Sequence, residues 1–296
     1  DGMGGAVKAI AYMKGRLVES NAARIAGIEA GTTTVVGVNK WQAGEPSPLT
    51  AGDDAIMVAD PAAEADQLAR LAAWKSNRDT AAVQIALTAL REAANDGSNI
   101  MPPSIACARA GVTTGEWADV IRSVFGQYRA PTGVSKNPSN RTEGLDALRD
   151  RVDLVSHALG RRLKFLVGKP GLDGHSNGAE QIATRARDCG MDIAYEGIRL
   201  TPDEIVAAAA SDDAHVIGLS ILSGSHIPLI GEVITKLNAA GLGHIPVIAG
   251  GIIPEDDAAH LRDMGVAAVY TPKDFELNKI MDDIITLVDP RKLAAE

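Results

Sequence analysis

At 296 residues, 46% of them apolar, the chain has room for about two packed domains. A net charge of −9 without a lysine- or arginine-rich face excludes a nucleic-acid partner. No apolar run reaches the roughly 18 residues of a membrane span, and no secretory leader is visible. Cys107 and Cys189 lack the paired spacing of a zinc or redox site and read as small buried hydrophobes, so a reducing, cytoplasmic setting is expected.

In chain order, residues 1–41 read as helix, helix, strand. Ser20 and Asn21 lead into a helical run over 22–30 that Gly31 can end in a left-handed cap. Residues 32–38 are β-branched and apolar, the pattern of a strand buried on both faces. One such strand cannot form a parallel sheet, so its partners are expected in sequence upstream of Asp1 and the chain reads as a fragment; the second reading is an edge strand added to the later sheet. Asn39, after that strand, reads first as a cap or turn residue and second as a side chain facing an active site. Residues 42–60 are a turn-rich crossing with a short apolar run at 55–58. Pro61 suits a helix start, and 62–94 is alanine-rich with helical periodicity, giving one or two long helices. After a break at 95–103, shorter helices are expected over 104–110 and 114–125, the latter capped by Thr113 or Thr114 with Glu116 in its first turn. Residues 127–141 read as a linker and 143–159 as a helix entering the last domain. The expected division is therefore 1–41, a mostly helical 42–160, and 161–296.

From residue 161 the rhythm becomes regular. Strands are expected at 163–167, 192–195, 215–219, 246–249 and 267–270, and helices at 178–189, 202–210, 228–240, 256–264 and 275–288. Five alternating units indicate an α/β, flavodoxin-like (Rossmann-like) parallel sheet. With strand order 2-1-3-4-5, the chain reverses between strands 1 and 3, where such sheets bind ligands.

Unusual sequences fall at that point. The loop after strand 1 holds Lys169, Asp173, His175 and Gly178 and is longer than most strand-to-helix connections. An aspartate two residues from a histidine can take the proton of one ring nitrogen and aim the other at a metal. Strand 3 ends in Ser220-Ile-Leu222, and strand 4 in Gly250-Gly251, where absent side chains leave room for a large ligand. His157, His215, His226, His244 and His260 show no comparable partner and read as structural or solvated. One histidine cannot hold zinc, which takes three or four protein ligands. A single axial histidine makes sense when a macrocycle supplies the rest, as with haem or a corrin. Gly168 at the end of strand 1 lacks the clustered acids of a receiver domain.

Asp173-Gly-His175-Ser-Asn-Gly178, Ser220-Ile-Leu222 and Gly250-Gly251 resemble the signature of cobalamin-binding domains that bind B12 base-off/His-on. Lys169, Tyr270-Thr-Pro272, Gly4-Gly5 and Val36-Gly-Val-Asn39-Lys40 extend the resemblance to the adenosylcobalamin-dependent acyl-CoA mutases of the methylmalonyl-CoA type. Within that family, the FGQYRAPTGVS run from Phe125 and Tyr270-Thr-Pro-Lys-Asp-Phe275 look most like the branch acting on ethylmalonyl-CoA; Lys273-Asp274 stand where the methylmalonyl-CoA enzymes usually carry Gly-Thr.

The resemblance implies a cobalamin domain preceded by a helical linker and the last elements of a substrate-binding (β/α)8 barrel. It implies adenosylcobalamin as cofactor, with His175 on cobalt, Asp173 behind His175 and Lys169 keeping Asp173 ionised. Ser220 would bond the displaced benzimidazole, with Leu222, Gly250, Gly251 and Tyr270 lining the nucleotide tail and Gly178 giving it room. It also implies a radical 1,2-rearrangement of an acyl-CoA bound mainly by barrel residues outside this sequence, so no catalytic residue is assignable here. Its partners would be a second copy or the remaining mutase polypeptide, and a GTPase chaperone. The alternatives are a methylmalonyl-CoA mutase, a corrinoid carrier using the same loop without mutase chemistry, and a flavodoxin- or receiver-type domain using the same fold for a flavin or a phosphoryl group.

Overall fold

The computed structural model describes residues 2–43, 60–134, 145–274 and 276–293. The run expected at 55–58, the linker beyond residue 134 and Phe275 lie outside them. The chain forms two compact units, residues 1–44 with 129–296, and residues 45–128.

One helix, α1 (Ile10–Glu29), stands where two were expected. Gly31 follows at φ +73°, its N–H on the Ile28 carbonyl, as a left-handed stop requires. The strand expected at 32–38 does not form. A parallel strand needs neighbours to take its backbone N–H and C=O groups, and this segment satisfies them locally instead. Gly37 N–H donates to the Lys40 carbonyl (2.8 Å). Asn39 accepts from Val35 N–H (2.8 Å) and donates to the carbonyls of Ile28 (2.9 Å) and Thr33 (2.8 Å), which makes it a turn cap.

The unit of residues 45–128 is helical: α2 (Pro61–Asn77), α3 (Thr80–Asp96), α4 (Met101–Ala110) and α5 (Thr114–Phe125). The stretch 62–94 is two helices because Asp79 stops the first and caps the second, its carboxylate accepting from Ala81 and Ala82 N–H. Thr113 and Glu116 form a reciprocal capping box on α5. Leu90, Cys107 and Val120 meet in its core.

The other unit continues with α6 (Asp146–Leu159), then β1 (Lys164–Gly168), α7 (Asn177–Asp188), β2 (Asp192–Tyr195), α8 (Pro202–Ser211), β3 (Val216–Ile221), α9 (His226–Ala239), β4 (Val247–Gly251), α10 (Glu255–Asp263), β5 (Ala268–Tyr270), α11 (Leu277–Leu287) and α12 (Pro290–Leu293). The strands make one parallel sheet in the order β2-β1-β3-β4-β5, as anticipated. Successive residues of β1 serve opposite faces. Phe165 and Val167 join a core built with α6, α7 and α11, while Leu166 joins one built with α8, α9 and α10. Helix α6 therefore belongs to the sheet unit, although the sequence division at 160/161 places it in the connector. Its Leu148, Val152 and Val155 are buried against Ile284 and Ile285 of α11 in one cluster.

Candidate functional site

The strands that flank the reversal, β1 and β3, carry the site. β3 and β4 run further than expected, so Ser220 pairs with Gly250 and Ile221 with Gly251 inside the sheet. The loop leaving β1 is tethered where Leu200 N–H donates to the Lys169 carbonyl (3.0 Å) and Gly171 N–H to the Leu200 carbonyl (3.0 Å). Gly171 sits there at φ +82°, a conformation that favours glycine.

Lys169 is fully buried. Its ammonium donates to the Ser220 carbonyl (2.8 Å) and to Asp173 Oδ2 (3.2 Å). The Asp173 side chain is 4% exposed. Its Oδ2 also accepts from Leu222 N–H (3.0 Å), and its Oδ1 accepts from His175 N–H (3.0 Å) and from ring Nδ1 (2.7 Å). Burial works against the charge on Asp173, yet the hydrogen bonds from His175 and Leu222, with Lys169 adding a smaller attraction, hold its carboxyl well below the usual carboxylate range. The charge of Lys169 thus matters less to Asp173 than the sequence suggested. Burial in turn pushes the Lys169 ammonium down, opposed by Asp173. His175 points out of this buried base, its side chain 74% exposed. An ionised carboxylate on Nδ1 fixes the proton there, leaving the Nε2 lone pair outward.

Beside this cluster lies an apolar cavity of about 300 Å³ lined by Gly178, Ser220, Leu222, Gly250, Gly251 and Tyr270, among others. Lys169, Asp173 and His175 are not in its wall; Ser220 and Leu222 join the two parts, each through its backbone to the Lys169–Asp173 pair. A Cβ on Gly178 would come within 3.9 Å of Ser220 Oγ, so these residues face each other across a narrow gap. Gly251 has a different reason to be glycine. A Cβ there would lie 1.7 Å from the Ile221 carbonyl oxygen, so sheet packing demands its absence before any ligand does. The Tyr270 hydroxyl donates to Asp283 Oδ2 (3.4 Å), and burial, then Asp283, pushes its phenol upward. Asp274, at the rim, accepts from Thr271 N–H (2.8 Å) and Thr271 Oγ1 (3.2 Å).

Among the parts of the cavity wall that sequence reading missed are Ile25 of α1, Leu277 and Ile280 of α11, and Gly218. Of these, only Gly218, a glycine inside an apolar strand run, carried a local signal. Sequence reading also left His226 without a partner, whereas the buried ring holds Asp257 Oδ2 at 2.8 Å and the Ser223 carbonyl at 3.3 Å. Among the described residues no three His, Cys, Asp or Glu side chains converge, so His175 offers one nitrogen to a metal.

Residues 163–274 match the B12 binding domain family, and residues 1–127 match the methylmalonyl-CoA mutase family. Over all 296 residues the chain is 68% identical to ethylmalonyl-CoA mutase of Cereibacter sphaeroides, covering 45% of that protein. These matches fit the C-terminal portion of a B12-dependent mutase. The chain is also 57% identical over 289 residues, 97% of its length, to ethylmalonyl-CoA mutase of Methylorubrum extorquens, covering 42% of it. It is 36% identical over 279 residues, 92% of its length, to methylmalonyl-CoA mutase of Cereibacter sphaeroides, covering 39% of it. The chain therefore spans less than half the length of these relatives. No helix among the described residues is long and apolar enough to cross a membrane.

Proposed function

We propose that this chain is the cobalamin-binding portion of an adenosylcobalamin-dependent acyl-CoA mutase whose substrate is ethylmalonyl-CoA, rearranged to methylsuccinyl-CoA. The observation that carries the reading is the union of an outward imidazole, seated on a buried carboxylate, with an apolar slot reached through the same two backbone positions. The donor set fits the group: one neutral nitrogen for a metal whose other ligands come with the macrocycle, and a narrow, mostly apolar cleft for a flat heterocycle. Bound cobalamin would supply a cobalt–carbon bond whose homolysis starts the radical rearrangement.

His175 Nε2 would be the residue that holds the cobalt, the base-off/His-on mode of binding. Asp173 would orient the ring through Nδ1, and Lys169 holds the carboxylate in place. Ser220 Oγ would hydrogen-bond the benzimidazole; Leu222, Gly250, Gly251 and Tyr270 would line the nucleotide tail, and Gly178 would leave room for it. The identities of 68% and 57% to ethylmalonyl-CoA mutases, against 36% to the methylmalonyl-CoA enzyme, support the substrate. The match of residues 1–127 to the mutase family supports reading 1–41 as the end of a substrate barrel and the following helices as its connector. The acyl-CoA then binds mainly to mutase polypeptide beyond these 296 residues.

The test is an absorption titration with adenosylcobalamin. The chain should give a base-off spectrum with a nitrogen still on cobalt, and His175→Ala should lose that nitrogen while keeping its fold by circular dichroism. An unchanged spectrum in the variant would remove His175 from the cobalt.

A further inference from the structure

Helix α1 lies outside the stretch that matches the B12 binding family, yet Ile25 forms part of the cavity wall. Polar ties hold the helix at both ends. Lys14 Nζ donates to Ser176 Oγ (2.9 Å), the residue after His175, and pairs with the Glu180 carboxylate (2.5 Å) on α7. At the other end, Glu29 Oε2 accepts from Arg185 Nη2 of α7 (2.8 Å), and Glu29 Oε1 accepts from Leu277 N–H (2.9 Å), the first residue of α11. One carboxylate therefore bridges the two helices that flank the cavity, since α7 contributes Gly178 and α11 contributes Leu277 and Ile280 to its wall.

These ties are partly desolvated. Glu180 is 4% and Arg185 10% exposed at the side chain, so displacing α1 would leave the Glu180 acid without Lys14 and the Arg185 guanidinium with Asn278 of α11 but without its carboxylate. That cost favours α1 staying in place once docked. The Glu29 bridge adds to the direct hydrogen bond from Arg185 of α7 to Asn278 of α11, with a charge-assisted hydrogen bond on each side.

From this geometry we infer that α1 is a clasp on the cofactor slot. Glu29 is a positioning residue that sets the spacing of α7 and α11, and Ile25 is a binding residue that packs against the nucleotide tail. The inference rests on the cobalamin reading above and deepens it, because it gives the mutase-matched segment a part in holding the cofactor.

The test compares two corrinoids on the whole chain: cobalamin, and cobinamide, which lacks the nucleotide tail. Dissociation is followed by diluting the complex, separating protein from free corrinoid by gel filtration at intervals, and reading the corrinoid absorption left with the protein. Glu29→Ala should release cobalamin about tenfold faster, the effect of losing a charge-assisted bond, and leave cobinamide release unchanged. Glu29→Gln keeps an acceptor for Leu277 N–H and should fall between. Ile25→Ala, at a half-buried position that cannot unfold the chain, should speed cobalamin release about threefold through lost apolar contact. Wild-type rates for cobalamin in Glu29→Ala and Ile25→Ala would overturn the clasp, as would equal acceleration of both corrinoids, which marks general loosening. A wild-type chain that holds cobinamide as well as cobalamin would instead sink the underlying reading, because the tail would not enter this slot.

Discussion

Replacing Asp173 by Asn tests whether the buried base of the histidine loop is electrostatic. Each carboxylate oxygen faces two donors: Oδ1 takes His175 N–H and Nδ1, and Oδ2 takes Leu222 N–H and Lys169 Nζ. An amide can serve only one of these sides, since its NH2 would point donors at donors. The substitution also leaves a fully buried ammonium beside a neutral group. Losing one partner of a buried pair costs about 3–5 kcal/mol, and stranded donors push toward the upper end, while loss of the Lys169 proton sets a ceiling. We expect about 4 kcal/mol at neutral pH, a large part of a typical folding free energy of about 5–15 kcal/mol. The sign with pH follows from Lys169, which burial already pushes below its ordinary value. Without Asp173 the folded state holds that proton still less tightly, so the unfolded chain binds more protons and stability rises with pH up to the unfolded lysine value of about 10.4. Urea unfolding at about pH 7 and about pH 9.5 should therefore show the gap between wild type and Asp173→Asn narrowing at the higher pH. Adding Lys169→Met to Asp173→Asn should recover stability. A penalty under about 1 kcal/mol, a gap that does not narrow, or a double variant no better than the single one would refute the electrostatic account.

Two further predictions concern packing. Gly251→Ala must move the Ile221 backbone and should cost about 3 kcal/mol by thermal melting. Gly250→Ala, whose Cβ meets nothing nearer than the Tyr270 carbonyl at 4.0 Å, should fold almost normally while narrowing the slot; equal losses would show that the two glycines serve one purpose. Cys189, whose thiol burial pushes up to about 12, and Cys107, pushed up for the same first reason, should resist iodoacetamide at neutral pH until denaturant is added. Native-state alkylation of either would mean that its surroundings open.

The sheet was legible because its strands are buried on both faces, so apolar runs such as 163–167 and 246–249 mark them without knowledge of their neighbours. The histidine loop was legible for a related reason. Asp173 to His175 and Lys169 to Asp173 are contacts two and four residues apart, and short spacing encodes them directly. Long-range contacts left no such trace. Nothing near Lys14 announces Glu180, and nothing near His226 announces Asp257, because the fold alone brings them together. The segment 32–38 marks the limit from the other side. Its composition is that of a strand, but composition supplies only a preference, and without adjacent strands the same residues close into a turn around Asn39.

The motifs themselves were counted as separate signals, and the structure makes them one object. The Leu222 N–H meets Asp173 and the Ser220 carbonyl meets Lys169, so the loop after β1 and the end of β3 share a single buried ion pair. The backbone of Ser220 and Leu222, whose residues line the slot, is therefore part of what holds the carboxylate under the His175 ring.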